Sequence, residues 1–361
     1  MAEFSSVQYF LGANAPGGFY SLYDQLLPRG EARAVYILKG GPGCGKSTLM
    51  RRVGQTMAEE GLPTETILCS GDPDSLDGLV LPTLGAAIVD GTAPHVVEPR
   101  CPGAVECYVN LGEAYDRSAL APLRKELEDC MAGYPGCYRR AYGCLSAAAE
   151  LRQDSRAVLL TDRLEEKLAR RARGILAREL RRNRRAGVGR VKQRFLSAMT
   201  HRGPMALFDT VRAQCGRVYV LEDRWGLANQ LLTHLLSGLV QAGHDVVACP
   251  DPLFPDRLLH LLAPGLGLAF VSSTAALPWE GDAYRRIRLD AAADGDLLRR
   301  SRPRLRFAAK VARALEEEAT ASLAQAKAMH DRLEALYHPY VDFALVETRA
   351  RRIAGELLAR N

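Results

Sequence analysis

The residues best suited to chemistry lie between an apolar run at residues 35–38 and a helix-like pattern after residue 48. Between them the chain matches G-x-x-x-x-G-K-[ST], a pattern that binds phosphate groups when a strand precedes it and a helix follows. Glycines in this pattern let backbone N–H groups approach a phosphate, because a Cβ would block that approach. We therefore predict nucleoside triphosphate binding by Gly40, Gly41, Pro42, Gly43, Cys44, Gly45, Lys46, Ser47 and Thr48.

Two side chains at the end of this loop have distinct expected roles. Lys46 should reach the β- and γ-phosphates, and the Ser47 hydroxyl should be a ligand of Mg²⁺. We expect a helix to begin at about Lys46, so that the partial positive charge of its N-terminus also faces the phosphates. The pattern thus predicts a Mg²⁺-dependent nucleotide site.

A carboxylate that could hold the metal follows a further predicted strand. Residues 84–89 form an apolar run that ends in Asp90. A carboxylate at the end of a buried strand is the expected Mg²⁺ ligand opposite such a loop, either directly or through water. The structural alternative is that Asp90 only caps the turn after the strand.

An acidic turn at residues 70–78 follows another predicted strand at residues 64–69. In open α/β sheets, ligands lie beyond the carboxyl ends of the strands, so Asp72 and Asp74 should face the site. We consider both as catalytic candidates that orient a nucleophile. The alternative is that they only cap the turn around Pro73.

The composition is typical of a globular domain pair rather than a membrane protein. The 361 residues are 47% hydrophobic and 25% charged, with a net charge of +6. No apolar run reaches the length of a membrane span, and the N-terminal residues do not resemble an export signal. Nine cysteines without zinc-like spacing favour packed thiols. These features predict a cytoplasmic protein without a membrane partner.

Expected elements outside the motif are less distinctive. We expect a loop over residues 10–18, a short helical face at residues 19–23, and mainly helix from Val105 onward, without another strand in the first half. A long helix at residues 161–185 carries many arginines, namely Arg170, Arg171, Arg173, Arg178, Arg181, Arg182, Arg184 and Arg185. It could bind nucleic acid phosphates or supply an arginine finger. A solvated helix face is favoured, because acidic residues pair with part of it and no aromatic residues are interleaved.

The second half repeats the first with a period near 183 residues. Residues 195–209 align without gaps on residues 10–24, and residues 218–221 align on residues 35–38. Such a period predicts two copies of one domain, at residues 1–187 and 188–361. In this alignment Asn229 stands at Lys46, Gln230 at Ser47 and Ser272 at Asp90, and Glu222 and Asp223 would repel a triphosphate. The second copy is therefore predicted to be degenerate.

These residues also resemble a known family. The chain is similar over nearly its whole length to the uncharacterised bacterial tandem P-loop ATPases. The likeness is carried by residues 14–24, 39–47, 69–78, 90–95, 102–105 and 110–112, and by residues 195–200 in the second half. The resemblance implies an α/β fold of tandem P-loop NTPase domains, with mainly parallel three-layer sheets and helical extensions. It also implies ATP binding and hydrolysis. Family members can carry a second P-loop, which this chain lacks.

Three functions remain open at this point. The leading one is a Mg²⁺-dependent ATPase with one active nucleotide site and one inert half. The alternatives are a small-molecule or nucleotide kinase and an ATP-sensing binding module. Gly91 follows Asp90 where many ATPases have a glutamate, which leaves Asp72, Asp74 or His95 to orient the nucleophile. A nucleoside triphosphate is the expected ligand, together with an acceptor or protein partner that the motifs do not identify.

Overall fold

A computed structural model describes residues 7–28, 30–181 and 185–360 of the chain. Its first half contains eight strands and one helix that position the predicted site. They are β1 (Gln8–Phe10), β2 (Gly12–Ala15), β3 (Gly18–Ser21), β4 (Ala34–Lys39), α1 (Lys46–Glu59), β5 (Glu65–Leu68), β6 (Leu76–Leu81), β7 (Ala86–Asp90) and β8 (Glu106–Asn110), in the order of the chain.

Six of these strands form one mixed sheet in the order β1-β5-β6-β7-β4-β8. Strand β4 lies between β7 and β8 and is parallel to both, and β1 is parallel to β5. Strand β6 is antiparallel to both of its neighbours. The sheet is thus mostly parallel, as predicted for an α/β fold, with one antiparallel strand that the sequence did not predict. The buried apolar strands β4 and β7 end side by side, because Leu38 pairs with Asp90.

Helices connect this sheet to the second half of the chain. They are α2 (Arg117–Leu120), α3 (Arg124–Ala132), α4 (Tyr134–Leu159) and α5 (Asp162–Glu179). The side chain of Thr161 caps α5, since its hydroxyl accepts a hydrogen bond from Leu164 N. The arginine-rich helix ends at Glu179, earlier than the predicted end at residue 185. Of its predicted arginines, Arg182 and Arg184 lie outside the described residues.

The strands of the second half follow one another in the same order as those of the first. It contains β9 (Val191–Gln193), β10 (Ser197–Thr200), β11 (Gly203–Ala206), α6 (Phe208–Gln214), β12 (Arg217–Glu222), α7 (Ala228–Gln241), β13 (Val246–Asp251), β14 (Phe254–Ala263), β15 (Leu268–Ser273) and β16 (Arg285–Arg288). Its sheet has the order β9-β13-β14-β15-β12-β16, so each strand has a counterpart in the first sheet. Two helices, α8 (Gly295–Tyr337) and α9 (Phe343–Leu358), complete the described chain.

The chain forms two compact units whose segments alternate along the sequence. The first unit comprises residues 1–13, 21–141 and 321–361, and the second comprises residues 14–20 and 142–320. The predicted boundary between residues 187 and 188 separates the two copies of the sequence repeat. The compact units combine segments from both repeats, because α4 and α8 each contribute to both units. Helix α9 accordingly packs on α1 within the first unit.

Three local predictions were wrong. Residues 12–15 and 18–21 form the hairpin of β2 and β3, not a loop and a helical face. Gly18, the first residue of β3 after the turn, has a φ of +112°, a conformation that glycine adopts without strain. Strand β8 pairs with β4 although no further strand was expected. Strand β8 escapes detection because most of its side chains are exposed and give no buried apolar pattern. The acidic turn is also shorter than predicted, since β6 begins at Leu76 and includes Asp77.

Candidate active site

The glycine-rich loop (residues 40–45) connects the end of β4 to the start of α1. Gly43 and Gly45 have φ angles of +70° and +86°, which favour glycine over any L residue. A Cβ at position 40 would lie 2.6 Å from Cys44 Sγ, and one at position 41 would lie 2.9 Å from the Tyr115 hydroxyl. The close approach of the backbone to its surroundings therefore explains the glycines of the pattern.

The amino group of Lys46 lies at the centre of this loop. Its Nζ donates hydrogen bonds to Gly40 O at 2.8 Å and to Gly41 O at 3.0 Å. The same Nζ is 3.5 Å from Asp90 Oδ2, and both side chains are largely buried. The structure thus brings Lys46 and Asp90 together, as the sequence predicts.

Helix α1 begins at Lys46, at the position that the sequence predicts. Ser47 therefore lies in its first turn, where backbone N–H groups have no partner within the helix. The Ser47 hydroxyl accepts a hydrogen bond of 3.0 Å from Leu76 N at the start of β6. This contact fixes the hydroxyl beside the start of β6. The same oxygen atom can also serve as a metal ligand.

Asp90 is the last residue of β7 and is only 8% exposed. Its Oδ1 accepts hydrogen bonds from Thr92 N at 2.8 Å and from Thr92 Oγ1 at 2.6 Å. Its Oδ2 is the atom that faces Lys46. The carboxylate therefore caps its turn with one oxygen and presents the other oxygen to the loop, so the capping role and the metal-binding role are compatible. Oxygen donors of this kind are those that Mg²⁺ prefers.

Residues distant in the sequence cover the outer side of the loop within the first unit. The Tyr115 hydroxyl donates a hydrogen bond of 2.7 Å to Pro42 O. A Cβ at Gly43 would lie 3.3 Å from Glu334 O of α8, and a Cβ at Gly45 would lie 3.1 Å from Val346 Cγ1 of α9. These contacts were not predicted, because no local pattern links residues 334 and 346 to a loop about 300 residues earlier in the chain.

The predicted acidic turn has a clear structural role. Asp72 accepts hydrogen bonds from Asp74 N at 3.3 Å and from Ser75 Oγ at 2.8 Å. Its Oδ2 is also 3.5 Å from Lys327 Nζ on α8. Asp74 is exposed, and its backbone carbonyl oxygen accepts a hydrogen bond from Arg51. These contacts account for Asp72 as a turn cap, and its role in orienting a nucleophile stays a prediction.

A buried polar cluster near Asp90 contains residues that were not predicted together. The Tyr23 hydroxyl donates to Asp77 Oδ2 at 2.9 Å, and His95 Nε2 is 3.3 Å from the same oxygen. Ligand atoms of Cys69, Asp77 and His95 lie within 4.8 Å of one another, so the three could also hold a metal ion. Burial raises the pKa of Asp77, an effect that His95 opposes and the Asp90 charge reinforces. Only His95 had been singled out from the sequence, because Asp77 was assigned to the turn.

The corresponding loop of the second half is filled by its own carboxylate. Asp223 accepts hydrogen bonds from Leu227 N at 2.8 Å and from Ala228 N at 2.9 Å at the start of α7. A carboxylate side chain of the second half thus occupies the N-terminus of α7, the end of a helix that favours anions. The sequence predicted that Asp223 repels a triphosphate, and in the structure its carboxylate lies at the start of α7.

The structure shifts the alignment of the two halves by one residue at this point. Five residues (223–227) join β12 to α7, whereas six residues (40–45) join β4 to α1. Ala228 rather than Asn229 therefore corresponds to Lys46, and Asn229 rather than Gln230 corresponds to Ser47. Asn229 Oδ1 accordingly accepts a hydrogen bond of 2.9 Å from Leu258 N, just as the Ser47 hydroxyl accepts one from Leu76 N. No cationic side chain stands at the Lys46 position in either alignment.

Comparison of the chain with protein-family models, with curated proteins and with solved structures found no match. The structure also contains no helix, within residues 7–28, 30–181 and 185–360, that is long and apolar enough to cross a membrane.

Proposed function

We propose that the chain binds ATP together with Mg²⁺ at residues 40–48 and hydrolyses the nucleotide. The observation that carries this proposal is the meeting of three groups at one end of the sheet. The Lys46 amino group lies 3.5 Å from the Asp90 carboxylate, and Ser47 occupies the first turn of the helix that begins at Lys46. A lysine, a hydroxyl and a carboxylate around a glycine-rich turn match what a nucleoside triphosphate with its metal requires.

Each group has a role that follows from its position. Lys46 exchanges the carbonyl oxygens of Gly40 and Gly41 for the β- and γ-phosphate oxygens, and the N-terminus of α1 adds its partial positive charge. Ser47 and Asp90 would hold Mg²⁺, the former through its hydroxyl and the latter through Oδ2, directly or through water. The metal, when bound, neutralises negative charge on the phosphate oxygens.

His95 is the group that we place beside the attacking water. It lies in the same turn as Asp90, since His95 N donates to Thr92 O at 2.9 Å. Its Nε2 is held by the Asp77 carboxylate, as the imidazole of a general base is commonly held by a second group. This arrangement supplies the orienting residue that Gly91 cannot provide.

Phosphate release separates this function from the alternatives. Purified chain incubated with ATP and Mg²⁺ should release inorganic phosphate, and excess chelator should stop the release. Release that appears only after a hydroxyl-bearing acceptor is added would instead indicate a kinase. ATP binding without any release would indicate a sensing module, and absence of ATP binding would contradict the proposal as a whole.

A further inference from the structure

The second unit contains a cavity of about 820 Å³ next to the loop of residues 223–227. This volume falls within the range of small-molecule sites. Seven cationic and five acidic side chains line the cavity, and apolar side chains such as Trp225 and Phe254 form much of the remaining wall. The cavity therefore combines an excess of positive charge with an apolar surface.

Several of these charges are already neutralised by neighbours. Arg152 makes a two-pronged contact with Glu316, with N–O distances of 2.5 and 2.7 Å. Arg313 pairs with Glu317 at 3.2 Å. Asp223 is occupied at the start of α7, as described above. These three groups already have partners of their own. A ligand would therefore have to bind to other charged groups of the cavity.

Arg156 and Arg257 are neighbouring cations of this cavity, and neither has an ion pair shorter than 4.0 Å with a residue that the structure describes. The Arg156 Nε is buried and makes no hydrogen bond with any residue that the structure describes. Burial and the Arg257 charge lower the pKa of Arg156, and the charges of Asp256, Asp223 and Glu165 oppose this only in part. The Arg257 side chain is 14% exposed and has its ion pair with Asp256 at 4.0 Å, while its Nη2 donates to Gln153 Oε1 at 2.6 Å.

Two neighbouring guanidinium groups in a largely apolar cavity are costly unless an anion joins them. A buried charge without a partner loses its hydration, and two like charges repel. Guanidinium groups bind phosphate and carboxylate groups through paired hydrogen bonds that are stronger when shielded from water. An oxyanion between Arg156 and Arg257 would remove both penalties.

We propose that this cavity binds a small organic anion, with one phosphate or carboxylate group held by Arg156 and Arg257 and an apolar body beside Trp225 and Phe254. A triphosphate is not expected there, because Asp223 occupies the helix start that would hold its phosphates. The site is thus separate in both position and ligand from the nucleotide site proposed at residues 40–48.

Calorimetric titration of the full chain with phenyl phosphate, benzoate and the neutral benzamide tests this proposal. At least one of the two anions should bind with one equivalent per chain, and benzamide should bind at least tenfold more weakly. The anion that binds more tightly identifies the preferred group. Lys46→Ala should leave this binding unchanged, because Lys46 belongs to the nucleotide site.

Arg156→Gln and Arg257→Gln should each weaken anion binding at least tenfold. Arg139→Gln, which replaces an exposed arginine on the same helix as Arg156, should have no effect. The melting temperature of Arg156→Gln should not fall, since the substitution removes a poorly paired cation. Equal affinity of wild type and both variants, or no binding of either anion at millimolar concentration, would overturn the proposal.

Discussion

Replacement of Lys46 by alanine is expected to lower the affinity for ATP and Mg²⁺ at least about tenfold, which corresponds to about 1.4 kcal/mol. Hydrogen bonds to charged groups contribute about 1.5–3 kcal/mol each, and Lys46 is the cation nearest the loop carbonyls that a phosphate would replace. Calorimetry with ATP in the presence of Mg²⁺ measures this loss directly.

Lys125→Ala is the matched control, because Lys125 is an exposed lysine on α3 outside the site. It should bind ATP like the wild type. A thermal melt of each variant without nucleotide separates lost binding from lost folding, since Lys46 also contacts Asp90. Wild-type affinity in a folded Lys46→Ala variant would show that residues 40–48 are not the nucleotide site.

Asp90→Asn should have the second large effect, on turnover and on the metal dependence of binding. The asparagine can keep the contacts of Oδ1 with Thr92, but the charge that Oδ2 presents to the loop is lost. We expect Mg²⁺ to lose most of its effect on ATP affinity. Turnover should fall about 100-fold, because the lost stabilisation of transition-state charge is about 3 kcal/mol. Single-turnover phosphate release over a range of Mg²⁺ concentrations measures both effects.

Asp72→Asn is the informative comparison for Asp90→Asn. Its carboxylate caps the turn and pairs with Lys327, so the variant should lose stability and keep near-normal turnover per folded molecule. Loss of turnover in folded Asp72→Asn or Asp74→Asn would instead show that the acidic turn orients the nucleophile. Wild-type turnover and metal dependence in Asp90→Asn would remove Asp90 from the site.

The local part of the site could be predicted from the sequence. The glycine pattern predicted the start of α1 at Lys46, and an apolar run predicted that Asp90 ends a buried strand. Both predictions depend on neighbours within about ten residues, where backbone preferences and burial leave a readable pattern. The mostly parallel α/β sheet follows from the same short-range patterns.

The remaining parts depend on contacts between distant residues. Val346 and the Glu334 backbone come close to the loop only because the C-terminal helices fold back within the first unit. Asp77 was assigned to a turn, since the antiparallel strand β6 has polar and glycine residues in its first half. Arg156 and Arg257 are 101 positions apart and meet only at the cavity. Contacts between residues so far apart in the sequence leave no local periodicity from which they could be predicted.

The most direct test of a single nucleotide site is a calorimetric titration of the full chain with a non-hydrolysable ATP analogue and Mg²⁺. We expect one analogue bound per wild-type chain and at least about tenfold weaker binding to Lys46→Ala. Asp223 at the start of α7 and Ala228 at the lysine position are the reasons for a single site. Two equivalent sites per chain, or undiminished binding to Lys46→Ala, would contradict it.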